Sequence, residues 1–379
     1  MAKPGSPEFL VGCPEAFPGA RFAREVLERI PRLLIIRLRS LGDSILTLPL
    51  LESLKLWRPE LELDLLIEAP FAPVFLPHPS VSRTIVLKSN RWGPRLSAVV
   101  GIRRRRYGAV LNLHGGTTSQ FFTVSSGARL RIGQENHRRP WIYNARIPSS
   151  SVLWKRQDLH TVEHQLSLMR WLDIPVAAGI RCSLHVDDVP RESARGRLNG
   201  AGISGRYCVI QPTATLATKQ WSAENFARIG DHLARRYSLS VIYTAGPAEA
   251  QVLLDIGKCA AERHYYWSDL PLDHLFALIE GCRLFVGNDS GPMHAAAALG
   301  KPVVAVWGSS NYRAWHPWQT EYEMVRSDLD CIPCPGYECK VYGAPKCILS
   351  VPVSSVVDAC ERLLTRTEGT SRISSRDQQ

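Results

Sequence analysis

The chain has 379 residues and a formal net charge of +11 at neutral pH. Such a length predicts two domains of ordinary size, and a composition of 45% hydrophobic and 21% charged residues excludes a disordered or collagen-like chain. No apolar run approaches the roughly 20 residues that span a bilayer, and the opening "MAKPGSPEFLVGCPEAFPGARF" is too broken by Pro, Gly and Glu for a secretory signal, so a cytoplasmic protein is expected. The positive excess points to an anionic partner, for which nucleic acid, a phospholipid surface and a phosphorylated small molecule all qualify. With neither a zinc-finger spacing nor an aromatic RNA-binding pattern, no nucleic-acid partner is expected.

Residues 1–30 read as an N-terminal tail. "RLLIIR" (Arg32 to Arg37) is a short apolar strand that stops at "LRSLGDS", where Gly and Asp break the pattern. "ILTLPLLESLKLW" then repeats at helical spacing. Pro49 lies too deep for a helix starting at Ser44, which predicts a kink or a later start. "ELDLLIE", "TIVLK" and "GAVLNLHGG" are further strands, the last again running into glycine. This alternation of strand and helix predicts a parallel sheet covered by helices, and residues 31–190 form the first such domain, with "TVEHQLSLMRWLDI" as an amphipathic helix in its weaker second half. The polar stretch "VDDVPRESARGRLNGAGISGRY" reads as the junction, with a linker over 191–205. The alternation restarts over 206–365 with the strands "YCVIQP", "SVIYTAG", "LFVGND" and "PVVAVWG" and the helix "SAENFARIGDHLARRY", capped by Ser222. Residues 366–379 read as a disordered tail. Two doubly wound halves in tandem place a cleft between them, and ligands of open parallel sheets bind outside the carboxyl ends of the strands.

Three loops stand at such strand ends. In "GNDSGPMHAAAALG" a strand meets the turn Asp289, Ser290, Gly291 and then a helix of small residues. The first turn of a helix offers unpaired N–H groups and a positive dipole end, which suit a phosphate. Capping by Asp289 or Ser290 explains the same residues without a ligand. Asp43 in "SLGDS" is the second candidate, again with capping as the alternative. Lys219 in "QPTATLATKQW" is the third, and a solvated surface lysine is its bland reading. Neither a Walker loop nor a G-x-G-x-x-G fingerprint occurs, which argues against an ordinary NTPase or a nicotinamide dehydrogenase.

Taken in order, "LLIIRLRSLGDSILTLPLL", "QPTATLATKQWSAENF", "TAGPAEAQ" and "GNDSGPMHAAAALGKPVVAVWGSS" resemble glycosyltransferase family 9, the ADP-heptose:lipopolysaccharide heptosyltransferases. The resemblance runs from about Leu33 to Val356. It implies a GT-B architecture: two Rossmann-like, doubly wound parallel-sheet domains facing a central cleft, with the acceptor on the N-terminal domain and the nucleotide-sugar donor on the C-terminal one. It also implies an inverting, metal-independent transfer of a heptose or related sugar from ADP-heptose to a lipid-linked acceptor such as the lipopolysaccharide inner core, without a further cofactor.

Residue by residue, the resemblance puts the general base on Asp43 and the leaving-group lysine on Lys219. Thr213, Glu249, Asp289, Ser290, Gly291, Met293 and His294 fall on the donor side, with Glu249 at the nucleotide ribose and the N–H groups of Ser290, Gly291 and Met293 at the diphosphate. Arg39, Arg103 and Arg104 are the expected acceptor contacts. The run "IRRRRYG" and the set Arg129, Arg131, His137, Arg138 and Arg139 lie in the same half, where they would meet an acidic lipid-linked glycan in peripheral contact with the cytoplasmic face of the inner membrane. A solvated helix face is the other reading of the arginine run. Two rival functions stay open: a GT-B-like nucleotide-sugar 2-epimerase, and a non-catalytic nucleotide-sugar-binding module.

Of the 10 cysteines, Cys331, Cys334, Cys339 and Cys347 cluster in "CIPCPGYECKVYGAPKC". Four thiolates can hold a structural zinc ion, although the spacing departs from regular zinc ribbons, and reduced thiols or disulfides are the alternatives. Catalysis by these thiols is not expected, because the transfer needs no thiol nucleophile.

Overall fold

The computed structural model describes residues 9–10, 17, 19–89, 91–334 and 336–374. The chain divides into two compact units between His185 and Val186. The first carries β1 (Phe9–Leu10), β2 (Arg32–Ile36), β3 (Glu62–Glu68), β4 (Arg83–Leu87), β5 (Ala109–Asn112), β6 (Leu130–Gln134), β7 (Ala145–Ile147) and β8 (Val176–Ala177). The second carries β9 (Tyr207–Gln211), β10 (Ser240–Thr244), β11 (Tyr265–Trp267), β12 (Leu284–Asn288), β13 (Val303–Trp307) and β14 (Tyr322–Arg326). Apart from the short antiparallel pair β1–β8, these strands form two 6-stranded parallel sheets, ordered β4-β3-β2-β5-β6-β7 and β11-β10-β9-β12-β13-β14. The two orders are the same. In each unit the chain starts at the centre, works out to one edge, and returns to continue on the other side. The reversal falls between β2 and β5 in the first unit and between β9 and β12 in the second, and such switch points are where open α/β sheets leave a crevice for ligands.

The central strands are covered on both faces, so they read as continuous apolar runs. Leu33 to Ile36 of β2 and Val303 to Trp307 of β13 are all at 0% exposure. Each sheet has its own core: Leu34, Ile36, Val110 and Phe122 in the first unit, and Ile210, Phe226, Val286, Val304 and Leu363 in the second. Helix ends follow local chemistry. Ser222 accepts from the Asn225 N–H and caps the helix Ala223–Tyr237. Pro49 sits in the first turn of a separate helix, Leu48–Trp57, which follows the short helix Leu41–Ile45, so the later start is the one observed.

Three boundaries differ from the sequence expectation. The expected tail over 1–30 contains the helix Ala20–Arg29, which buries Ala20, Ala23 and Leu27 and is pinned where the Arg24 guanidinium donates to the Leu172 and Asp173 carbonyls. The expected linker over 191–205 is largely the helix Asp188–Gly200 of the second unit. That helix buries only Pro190 and Ala194 and is fastened by Arg191 to Glu280 and by Arg197 to Asp269, so its sequence is polar without being a linker. The expected tail from 366 is instead the end of the helix Val353–Ser374, whose Val356, Cys360 and Leu363 belong to the second core; residues 375–379 lie outside the described residues. Among the described residues, no helix is long and apolar enough to cross a membrane.

Candidate active site

In the second unit the loops after β9, β10 and β12 carry the predicted donor residues. Asn288, fully buried at the end of β12, joins two of these loops: its amide donates to the Pro212 carbonyl (2.7 Å) and its side-chain oxygen accepts from the Trp221 N–H (3.3 Å). The segment so fixed, Pro212 to Trp221, includes Lys219. Lys219 Nζ lies 2.7 Å from Asp289 Oδ2, with side-chain exposures of 22% and 4%. Ser310 Oγ donates to the same carboxylate oxygen. A carboxylate this deeply buried needs a partner, so Asp289 holds the ammonium group in one place. Gly308 lets the end of β13 pass close by; a Cβ there would stand 2.3 Å from the Thr218 carbonyl oxygen.

The capping alternative fails at this turn. Ser290 is the N-cap of the helix Gly291–Ala298 but makes no side-chain cap bond, and its Oγ is buried without a hydrogen-bond partner. Asp289 is engaged by Lys219 instead. Pro292 has no N–H to offer, which leaves the N–H groups of Gly291 and Met293 at an uncapped, electropositive helix end. Ala295 to Ala298 are buried, so small side chains seat this helix against β12 and β13. The Met293 side chain is fully buried and His294 is 3% exposed; of Met293, only the backbone is placed for a ligand.

Thr213 and Glu249 also come together. Gln211 Nε2 donates to Thr213 Oγ1 (2.8 Å), whose hydroxyl donates onward to Glu249 Oε2 (2.8 Å). The Gly246 N–H donates to the same Glu249 oxygen (3.1 Å). This relay fixes a carboxylate at the carboxyl end of β10, next to the end of β9.

In the first unit Asp43 is not a helix cap. Ser40 holds the N-cap position of the helix Leu41–Ile45, and Asp43 lies inside its first turn. Its carboxylate is held from two sides, by Arg37 Nη1 at 3.5 Å and by Ser40 Oγ at 3.1 Å. The Asp43 side chain is 30% exposed against 5% for Arg37, so the acid remains reachable while its anchor is not. Burial pushes the Arg37 guanidinium down from its ordinary value, and the Asp43 charge opposes that shift. Burial and the charges of Arg37 and Arg39 lower His114, while burial, Arg37 and His114 push His137 down to about 4. Burial and neighbouring charge thus disfavour the protonated form of both imidazoles.

Of the expected acceptor arginines, Arg39 is exposed in the Asp43 loop. The structure does not bring Arg103 and Arg104 there. They end the helix Trp92–Arg105, just before β5 begins, whereas Asp43 follows the far end of the parallel neighbour β2. Cations at a helix carboxyl end complement its dipole, and Arg103 Nε donates to the Ser125 carbonyl (2.9 Å). The solvated-helix reading of this run is therefore the one its placement supports. Arg37, Ser40, His114, Asn288 and Ser310 escaped the sequence reading. Arg37 was visible as the charge that closes an apolar strand, and His114 as the residue before the second glycine turn.

Cys331, Cys334, Cys339 and Cys347 line one cavity of about 420 Å³ together with Thr218 and Ser309. Among the described residues the cysteines are free, and no group of three or more His, Cys, Asp or Glu stands close enough to hold a metal ion. Burial and the neighbouring thiols Cys334, Cys331 and Cys339 push the Cys347 thiol up.

Comparison with known proteins agrees with this geometry. The sequence profile of glycosyltransferase family 9 (heptosyltransferase) matches residues 95–344. Lipopolysaccharide heptosyltransferase 3 of Escherichia coli K12 is 27% identical over 293 residues, covering 73% of this chain and 82% of that protein. Two solved structures share the fold. The family 9 glycosyl transferase of Veillonella parvula has a TM-score of 0.76 at 20% identity, covering 89% of this chain and 97% of the other. ADP-heptose LPS heptosyltransferase II of E. coli has a TM-score of 0.72 at 20% identity, covering 89% and 99%. Two Rossmann-like units of identical strand order, a GT-B pair, and a family profile spanning most of the chain lead to one conclusion: the chain belongs to glycosyltransferase family 9 and is a glycosyltransferase.

Proposed function

We propose that this chain transfers a heptose from ADP-heptose to an acidic, lipid-linked glycan of the lipopolysaccharide core, with inversion at the anomeric carbon and without a metal or other cofactor. The observation that carries the reading is the ammonium group of Lys219, held 2.7 Å from Asp289 beside an uncapped helix end. In the reaction an acceptor hydroxyl oxygen bonds to the anomeric carbon from the face opposite the nucleotide. The bond from that carbon to the diphosphate oxygen breaks, and ADP departs with the electron pair. Negative charge grows on the diphosphate as it leaves. Lys219 and the N–H groups of Ser290, Gly291 and Met293 are the groups of this unit that would meet it, supplying by fixed charge and dipole what a divalent cation supplies elsewhere.

The acceptor proton goes to the carboxylate of Asp43, which Arg37 and Ser40 hold in place. Glu249, fixed by Thr213 and the Gly246 N–H, is suited to accept from hydroxyls of the nucleotide ribose. The net charge of +11 favours an acceptor presented at an anionic membrane surface, on the cytoplasmic face where the donor is available. Relatives named lipopolysaccharide heptosyltransferases support the heptosyl-transfer part of this reading. The test is a transfer assay with ADP-heptose and a core-lipid acceptor, with and without chelator. Glycosylated acceptor of inverted anomeric configuration, formed equally with chelator, is the expected result. Activity lost to chelator and restored by Mg2+ would overturn the metal-free mechanism, and transfer only from a uridine-linked donor would overturn the donor assignment.

A further inference from the structure

The helix Trp92–Arg105 of the first unit turns an apolar stripe outward. Trp92, Leu96 and Val100 follow one another at four-residue steps, which places them on one side of the helix, and they are 67%, 56% and 48% exposed. Another side of the same helix buries Ile102 in the core, while Arg105 is turned inward to Glu62 (2.7 Å) and Asp64 (3.0 Å). The helix Thr117–Ser125 extends the stripe: the Trp92 ring meets Phe121 edge to face at 6.2 Å, and Val124, three residues on, is exposed. The Arg95 guanidinium stands over the Trp92 ring, 5.5 Å from its centre. The indole is thus held in place between two neighbours while most of the residue stays open.

Single exposed apolar residues are ordinary, but a row of them in a purely cationic setting is not. Between Glu68 and Glu135 the sequence holds no Asp or Glu, and both helices lie inside that interval. Arg91 at the N-cap and Arg103 and Arg104 in the last turn are exposed at the two ends of the stripe. Pro94, Ser97 and Gly101 line a groove of about 470 Å³ between the helix and the edge strand β4, where the exposed Arg83 and Lys88 stand. A second copy of this face would set like charges against each other. A nucleic acid would answer the cations and leave the aliphatic side chains without a partner. An anionic bilayer answers both, because its interface takes up apolar side chains and its headgroups take up cations. Tryptophan suits that depth, having an apolar body and one N–H.

We propose that the helix Trp92–Arg105 docks on an anionic phospholipid surface, with Trp92, Leu96 and Val100 in the interface and the flanking arginines on lipid phosphates. The inference takes from the proposed function only that the acceptor is lipid-borne. Arg103 and Arg104, solvated in the free protein, then serve the membrane and not the acceptor sugars. Docking holds the first unit where such an acceptor is presented, and these side chains take no part in the transfer step itself.

The full-length protein can be floated with vesicles of phosphatidylglycerol and phosphatidylethanolamine, and with phosphatidylcholine vesicles as the zwitterionic control, without donor or acceptor. Binding to the anionic vesicles that weakens with added salt and falls about tenfold or more in Trp92→Ala and in Leu96→Glu is expected. Leu96→Glu alters a side chain with less packing and serves if thermal unfolding shows that Trp92→Ala does not fold. Binding unchanged in the folded variants, equal binding to phosphatidylcholine, or no binding at all overturns the docking face. Self-association that Leu96→Glu abolishes, seen without vesicle binding, overturns it too and gives the stripe to a contact between copies. Transfer is judged apart, with a water-soluble core-sugar acceptor: both variants should keep the wild-type kcat/KM, and a loss there overturns the separation of docking from transfer. Vesicle binding by a wild-type protein that transfers heptose to no acceptor overturns the function and leaves the docking face.

Discussion

The two units share one strand order, yet their switch points carry opposite chemistry. In the second unit the cation is paired at close range, Lys219 on Asp289, beside a helix end left uncapped. In the first, the carboxylate Asp43 is the more exposed partner and the buried guanidinium of Arg37 its anchor, while burial and neighbouring charge lower His114 and His137 in the same unit. One crevice offers a fixed cation and an uncapped helix end, which suit growing negative charge; the other keeps a carboxylate reachable, which suits the proposed base. The lesson is that topology selects where a site forms, while the residues at the strand ends beside the switch point decide what it does.

Ways to break that contrast run from large effects to small. Asp43→Asn removes the proposed base while leaving the second unit intact, and a transfer rate lower by about 10²–10⁴-fold is expected in steady-state kinetics. Lys219→Ala takes the ammonium group away and leaves Asp289 buried with Ser310 as its remaining donor. A loss of about 10²–10³-fold in kcat is expected, together with weaker ADP binding by calorimetry. Gly308→Ala places a methyl group against the Thr218 carbonyl, displacing the lysine loop; about a tenfold drop in kcat/KM is expected, from misplacement of a group that must be precise to within an ångström.

Folding stability tests the first unit by another route. His137 binds its proton near 4 in the folded protein against an ordinary 6.5. Between those values the unfolded chain holds more protons, so stability is greatest above about 6.5 and falls as the pH drops toward 4. Chemical denaturation across that window should show the decline, and His137→Asn should flatten it. The smallest effect is reserved for the arginine run: Arg103→Ala and Arg104→Ala, at the far end of the sheet from Asp43, are expected to change kcat/KM by no more than about twofold.

Much of this was legible in the sequence because apolar strands that stop at polar turns have a local signature. Asp43, Lys219 and Asp289 each stand in such a loop, and doubly wound order follows from the alternation of elements. Pairing was not legible. Lys219 and Asp289 are separated by 70 positions, and only the sheet order brings β9 beside β12. Arg37 looked like the end of a strand, and its role depends on which neighbour it faces after burial. Arg103 and Arg104 show the converse error: a count of charges carries no direction, and the helix they sit on points its carboxyl end away from the base. The polar stretch around 191–205 misled for a related reason, since a helix that lies on the surface of its unit buries little and resembles a linker in composition.

The central claim, that donor capture belongs to the second unit and proton removal to Asp43 in the first, is tested most directly by measuring ADP-heptose affinity and single-turnover transfer side by side in Asp43→Asn. The account predicts wild-type affinity with transfer nearly abolished. Transfer at the wild-type rate, or loss of ADP-heptose binding in step with transfer, would contradict it.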